Sequence, residues 1–411
     1  MTYDVCIVGA GMVGSAAAKW LCKLQRETKV CLIGSQEPTK KEWEDGRREV
    51  FASHYDEGRV TRELDADYTW GLLGQRSIER YREIEQESGI KFYKEVGCAF
   101  IDTKGNQRMQ NYKETAGKLG VRHEIFNCQS FQAKFPYLRV NHDSECVWTA
   151  ERAGHISPRK LVAAQQKIAS SLGCHVIHEV VTSITDVTSQ DGETVVRVLS
   201  ENGREIFAKR VLLCTGAFTN FHSILPGDRK IDFNMCRTFV VKVELSEQDA
   251  IKMLDMPSIL LDNKDCYVLP PIKYPDGKYY LKLGLWFSLD NQFSDLHGAA
   301  EWFRSHGRNF GTSDTIAVLR ELIPGIRPIS LTTDCCIASV TPTGQLYCDM
   351  LASRLGVLIG MNGLGAKCSN EIGRMGASMI SKGSWNYDLN PDMFKVQYRK
   401  NSPKSLLTGK L

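Results

Sequence analysis

The 411-residue sequence contains no apolar run long enough to span a membrane. It also lacks a decided charge. Its 52 Lys and Arg stand against 48 Asp and Glu, and a net +4 is too small at this length to argue for a nucleic-acid or membrane partner. No basic segment precedes the first apolar stretch, which runs straight into a glycine loop, so no signal peptide is expected. Fourteen cysteines are present, but they form no C-x-x-C pair and no Cys/His spacing of a zinc site, so no metal is expected. Thiols in this number, without an export signal, fit a reducing compartment. What remains, 42% hydrophobic and 24% charged, is an ordinary globular chain of two to three domains.

The most informative stretch comes first. Residues 5–8 read as a short buried strand, Gly9-Ala10-Gly11-Met12-Val13-Gly14 as a glycine turn, and residues 15–21 as the start of a helix. In that order the glycines cradle a dinucleotide: Gly9 permits the turn, Gly11 lets backbone approach a pyrophosphate, and Gly14 lets helix pack on strand. The phosphates then meet unpaired N–H groups at the positive end of the helix. A second strand, residues 29–33, should end on an acid that binds the ribose hydroxyls. It ends instead on Gly34, leaving Ser35, Gln36 or Glu37 to take that part. The missing acid weakens a nicotinamide reading more than a flavin one.

Residues 39–49 are charged, without an apolar period, and read as a solvated insertion. The block Ser53-His54-Tyr55-Asp56-Glu57-Gly58-Arg59-Val60-Thr61-Arg62 carries two arginines three apart, which a helical turn puts on one side. A solvated basic turn is the competing reading. A helix is expected over 68–87 and a strand-turn-strand over 91–102. Gly154-His155-Ile156-Ser157-Pro158 leads into a helix ending near Leu172, with Pro158 in its first turn. Strands over 176–184 and 195–199 feed a buried strand that ends on Thr215-Gly216-Ala217, a second place where backbone can approach a cofactor. Lys282 interrupts an apolar strand, where a lysine ordinarily reaches to solvent. A strand over 356–359, a second glycine loop at Asn362-Gly363-Leu364-Gly365-Ala366-Lys367 and a helix over 369–380 close the core, followed by a polar tail.

Three nucleotide-type elements interleaved with β-rich segments are how a large FAD site is built. The expected fold is α/β: a Rossmann-type FAD-binding domain from 1–75, 150–230 and 325–385, with an inserted antiparallel-sheet substrate domain from 76–149 and 231–324, and a tail over 386–411. At this point the chain resembles the D-amino-acid-oxidase-like FAD oxidoreductases, in the branch of monomeric sarcosine, pipecolate and N-methyltryptophan oxidases. Seven motifs in family order carry the resemblance over nearly the whole chain. They are the first glycine loop, Ser53-His54…Arg59-x-x-Arg62, Gly154-x-Ile156-x-Pro158, Thr215-Gly216-Ala217, Lys282-Leu283-Gly284, Cys336…Thr341-Pro342 and Gly363-x-Gly365-x-Lys367.

The resemblance implies a monomer that oxidises a secondary or N-substituted amino acid to an imine while O2 becomes H2O2. It implies FAD attached through a thioether from Cys336 to the flavin 8α carbon, with Cys335 as the adjacent competitor. Lys282 matches the oxygen-activating lysine, Arg62 and Lys367 the pair that grips the substrate carboxylate, Arg59 an arginine beside the flavin ring, and Tyr267 a tyrosine on the substrate side. Further cofactor contacts are expected at the first loop, Gly9 to Gly14, at Ser35, Ser53, Val181, Thr215 and Gly216, and at Gly363, Leu364, Gly365 and Lys367. The chain departs from the family at Tyr55, Trp286, Ala338 and Thr343, which reshapes the pocket and leaves the exact substrate open. A same-fold dehydrogenase with another electron acceptor and a non-catalytic flavin-binding assembly protein are the alternatives. The compartment is read as cytoplasmic, or peroxisomal because Gly409-Lys410-Leu411 is a degenerate form of S-K-L.

Overall fold

Residues 5–8 are buried because the strand Thr2–Val8 lies inside a parallel sheet, where both faces are covered. Its parallel neighbours are Glu205–Leu213 and Val30–Ile33. His175–Ile177 follows beyond Val30–Ile33, and Leu355–Ile359 runs parallel to the end of Glu205–Leu213. The hairpin Val181–Thr188 with Thr194–Ser200, and the strand Tyr347–Ala352, complete eight strands. The computed structural model describes residues 2–188, 192–227, 229–285, 293, 295–307 and 312–399. Trp286 and Gly409-Lys410-Leu411 lie outside the described residues.

A second eight-stranded sheet runs in the order Ser330–Val340, Asn234–Leu245, Tyr279–Leu285, Cys266–Lys273, Ser258–Leu261, Cys98–Thr103, Ser144–Thr149 and Glu124–Asn127. Its pairings are antiparallel except for Ser258–Leu261 with Cys98–Thr103. A third sheet of three strands joins Arg59–Arg62 and Tyr93–Glu95 to Ala153–Ile156. The fold is thus mixed α/β with several sheets. No helix among the described residues is long and apolar enough to cross a membrane.

The helix Met12–Leu24 packs against Gly365–Lys382, and the contact is close because of glycine: a Cβ on Gly373 would stand 2.3 Å from the Cβ of Ala16. Lys19 is buried at this contact, its Nζ donating to Asn370 Oδ1 at 2.5 Å. Burial pulls Lys19 down to about 7, whereas in the unfolded chain it holds its proton to about pH 10. A depressed amine costs stability below that window and less as pH rises through it. Lys19→Met is therefore expected to stabilise the protein most at pH 7, with the advantage shrinking by up to about 1.4 kcal/mol per pH unit toward pH 10. Urea unfolding at three pH values reads this; a gain that does not change with pH contradicts it.

Several local expectations are corrected. Arg59–Arg62 is a strand, not a helical turn, because it pairs with Ala153–Ile156. The helix expected over 68–87 breaks into Tyr68–Ile78 and Tyr81–Ser88, and the turn between them buries Tyr81, whose OH donates to the Lys367 carbonyl at 2.9 Å. The strand-turn-strand expected over 91–102 is present as Tyr93–Glu95 and Cys98–Thr103, each of which joins a different sheet. Ser330–Val340 pairs antiparallel with Asn234–Leu245 in the second sheet. The described part of the polar tail packs onto the core: Phe394 is fully buried and stacks on Trp385 at 5.4 Å.

Candidate active site

A cleft of about 330 Å3 is lined by residues of all three sheets. Part of its lining is the first glycine loop. Gly9 sits at φ +110°, and a Cβ there would lie 2.3 Å from the Cys214 carbonyl oxygen. A Cβ on Gly14 would be 1.8 Å from the Gly9 oxygen, so this turn can be built only without side chains. The N-cap of Met12–Leu24 is Gly11, which offers no side-chain cap to the first turn, and Gly11, Met12 and Val13 line the cleft. Uncapped amides at a helix N-terminus suit a phosphate. Among the described residues no Asp or Glu lines the cleft, while Arg59, Arg62 and Lys367 do. A cleft lined by three cations, and by no carboxylate among the described residues, fits a dianionic dinucleotide. No cluster of three metal-ligand residues occurs among the described residues.

Ala10, Ser35, Ser53, Val181, Thr215, Gly216, Tyr267, Cys336, Gly363, Leu364 and Gly365 line this same cleft. Two expected residues do not. Gly14 packs behind the loop, and Lys282 stands behind Tyr267, with Nζ 5.6 Å from the ring centroid. Gly34 explains the missing ribose acid, since any Cβ there would be 2.3 Å from the Ala10 nitrogen. Glu37 does not take the ribose part either: Arg159 binds its two oxygens at 2.7 and 2.6 Å, and of the three candidates only Ser35 lines the cleft. Tyr55 points away, bonding Gln36 O and Arg48, and it is His54 that lines the cleft. Burial, with Arg159 and Arg59 nearby, holds His54 down to about 3, so its imidazole is neutral.

The electrostatics rest on two aspartates that sequence reading passed over. Asp56 accepts from Lys282 Nζ at 2.5 Å, from Arg59, and from the Tyr274 hydroxyl at 2.8 Å. Burial alone would raise its carboxyl, but Lys282 and Arg59 hold it far below the carboxylate range. Asp65 accepts from Arg62 Nη2 at 2.8 Å and from Lys367 Nζ at 2.5 Å. Burial opposes its ionisation too, and Lys367 and Arg62 bring it to about 2. Each trio of two cations and one carboxylate keeps a net charge of +1. The sequence did carry a signal: Asp56-x-x-Arg59-x-x-Arg62-x-x-Asp65 is symmetric about the strand Arg59–Arg62. Lys282 is fully buried and does not reach solvent.

Adjacent residues on a strand face opposite ways. Cys336 faces the cleft, its Sγ 2.7 Å from Thr238 Oγ1. Cys335 turns to the helix Leu296–Arg304, where its Sγ donates to the Trp302 carbonyl at 3.0 Å, and burial pushes its thiol up.

The sequence pattern of the family described as "DAO: FAD dependent oxidoreductase" matches residues 4–379. The chain is a member of this DAO family of FAD-dependent oxidoreductases. It is 22% identical over 398 residues to a monomeric sarcosine oxidase of Bacillus sp. (strain NS-129), covering 94% of this chain and 95% of that one. It is also 22% identical over 386 residues to the N-methyl-L-tryptophan oxidase of Yersinia pestis (strain Pestoides F), covering 92% and 94%. Among solved structures, NikD, an unusual amino acid oxidase essential for nikkomycin biosynthesis, superposes with a TM-score of 0.72 at 17% identity, over 97% of this chain and 98% of that one. This DAO-family chain thus shares its fold with an amino acid oxidase.

Proposed function

We propose that the protein oxidises a secondary or N-substituted amino acid at a carbon next to the amine nitrogen, giving an imine and reducing O2 to H2O2. The observation that carries this reading is the convergence of Arg62, Lys367, Tyr267, Cys336 and both glycine loops on one cleft. Cys336 would hold FAD through a thioether, and the flavin would supply two-electron acceptor chemistry for the C–H bond and for O2. Arg62 and Lys367 hold the substrate carboxylate, and a guanidinium and an ammonium on one carboxylate orient the α-carbon. Tyr267 walls the substrate side. Arg59 would meet the flavin, and Ser35, Ser53, Val181, Thr215, Gly216 and the loop Gly363 to Gly365, which line the same cleft, would hold the rest of the cofactor. Lys282, fixed by Asp56 and the Gly58 carbonyl at 2.7 Å, supplies positive charge where oxygen gains negative charge. The imine is then hydrolysed by water.

Wild-type protein denatured in acid is expected to keep its yellow colour in the precipitate. Cys336→Ser is expected to release it, and Cys335→Ser to retain it; the reverse pattern moves the link to Cys335. A second reading, a dehydrogenase with another acceptor, draws on Lys282 standing behind Tyr267 rather than on the cleft wall. Peroxide yield per substrate consumed separates the two. A yield near one supports the oxidase, and rapid dye reduction with no peroxide supports the dehydrogenase.

A further inference from the structure

The pair expected to grip a substrate carboxylate already shares a carboxylate of the chain itself. One oxygen of Asp65 takes both Arg62 Nη2 and Lys367 Nζ, while its other oxygen accepts from the Asp67 amide at 3.2 Å. All three side chains are buried, Lys367 at 1% exposure and Arg62 at 3%. Arg62 Nε has no hydrogen-bond partner, so the guanidinium keeps donor capacity beyond Asp65. Burial and the neighbouring Arg62 both pull Lys367 down, and Asp65 is the main group that opposes them. The other titratable groups around the pair supply no substitute charge. Cys98, on the strand beside it, and Cys368, next on the helix, are thiols pushed up to about 12 by burial. Tyr81 and Tyr112 are phenols raised by burial. Asp262 also acts electrostatically on Arg62, but it is engaged by Arg108 at 3.2 Å and by the Tyr112 hydroxyl at 3.0 Å.

We propose that Asp65 is the positioning residue of the carboxylate grip: its carboxylate holds Arg62 and Lys367 side by side and leaves the trio with a net +1 that one substrate carboxylate neutralises. This rests on the reading that the pair binds a carboxylate. Without Asp65, two buried cations would face each other with no counter-charge, and the ammonium, which can shed its proton, would yield where the guanidinium cannot. The grip would then bind a carboxylate fully only while the medium supplies the proton.

The test is equilibrium binding of propionate to the holoenzyme, followed by perturbation of the flavin absorbance, from pH 6 to 9. Wild-type affinity is expected to change less than threefold across the range. In Asp65→Asn the Kd at pH 6 is expected to stay within about fivefold of wild type and to rise by about tenfold per pH unit once Lys367 deprotonates. Asp65→Glu, which keeps the charge, should restore a flat profile. Asp65→Asn combined with Lys367→Met should be weak and flat. A flat Asp65→Asn profile at wild-type affinity overturns the proposal, as does a wild-type Kd that itself climbs tenfold per unit above pH 7. Should Asp65→Asn not fold, the wild-type and Asp65→Glu profiles still decide, since loss of propionate affinity with rising pH in either contradicts a charge-keeping role. Wild-type protein that binds no propionate at any pH overturns the carboxylate grip itself, a result distinct from any change confined to the Asp65 variants.

Discussion

Lys282→Met is expected to slow the reaction of the reduced enzyme with oxygen by about two to three orders of magnitude, while reduction by substrate changes less than about threefold. The asymmetry follows from where the ammonium is. Lys282 is fully buried behind Tyr267, tied to Asp56 and the Gly58 carbonyl, and it does not line the cleft that holds Arg62 and Lys367. A charge held rigidly in a water-poor site needs no reorganisation when negative charge develops near it, and losing one such group costs on the order of 2.7–4 kcal/mol in the step it serves. Methionine has a similar reach and no charge, but it leaves Asp56 with Arg59 as its remaining cation. Asp56→Asn should therefore be read beside it: Lys282 then keeps the Gly58 carbonyl but loses its carboxylate, and the oxygen reaction should slow by a smaller factor. Stopped-flow measurement of the two half-reactions checks both variants. Equal slowing of the two half-reactions by Lys282→Met would remove the role assigned to this lysine.

Arg62→Ala is expected to lower kcat/KM for carboxylate substrates by about 10²–10³-fold, mostly through KM. Truncating one member of a buried, hydrogen-bonded charge pair costs about 2–5 kcal/mol, because its partner is left underpaired. Here Asp65 would keep only Lys367, and the trio would drop from a net +1 to zero, leaving no net charge for a substrate carboxylate. Arg62→Lys should recover little, because the second ammonium lacks the planar fork. Oxidation of the corresponding amine without a carboxylate gives the internal control. If Arg62→Ala slows that reaction as much as it slows the amino acid, the side chain acts on the fold and not on the carboxylate.

The nucleotide-type core was legible because each of its pieces is local. A buried run, a glycine turn and a helix follow one another within the first 24 residues, and no long-range pairing is needed to read them. Arg59 and Arg62 were legible as chemistry but not as geometry. Their three-residue spacing suits a helix, and only pairing with Ala153–Ile156, nearly a hundred residues on, makes them a strand. That strand sends each arginine to its own aspartate, so Asp56 and Asp65, which the sequence reading passed over, are the buried counter-ions of the site. Gly34 looked like a missing ribose acid; in the fold it is a packing requirement beneath Ala10, and Glu37 is diverted to Arg159. The residues after 385 read as polar because Trp385, Tyr387, Leu389 and Phe394 are spread among charges, and their burial depends on the sheet they cover.

The most direct measurement of the account is anaerobic reduction of the bound flavin, followed at about 450 nm, across N-methyl and cyclic secondary amino acids, each paired with the same amine lacking its carboxylate. At least one carboxylated member should bleach the flavin within the turnover time while its decarboxylated partner leaves it oxidised or reduces it at least about a hundredfold more slowly. Equal bleaching by both members of every reactive pair, or no bleaching by any carboxylated secondary amine, would contradict it.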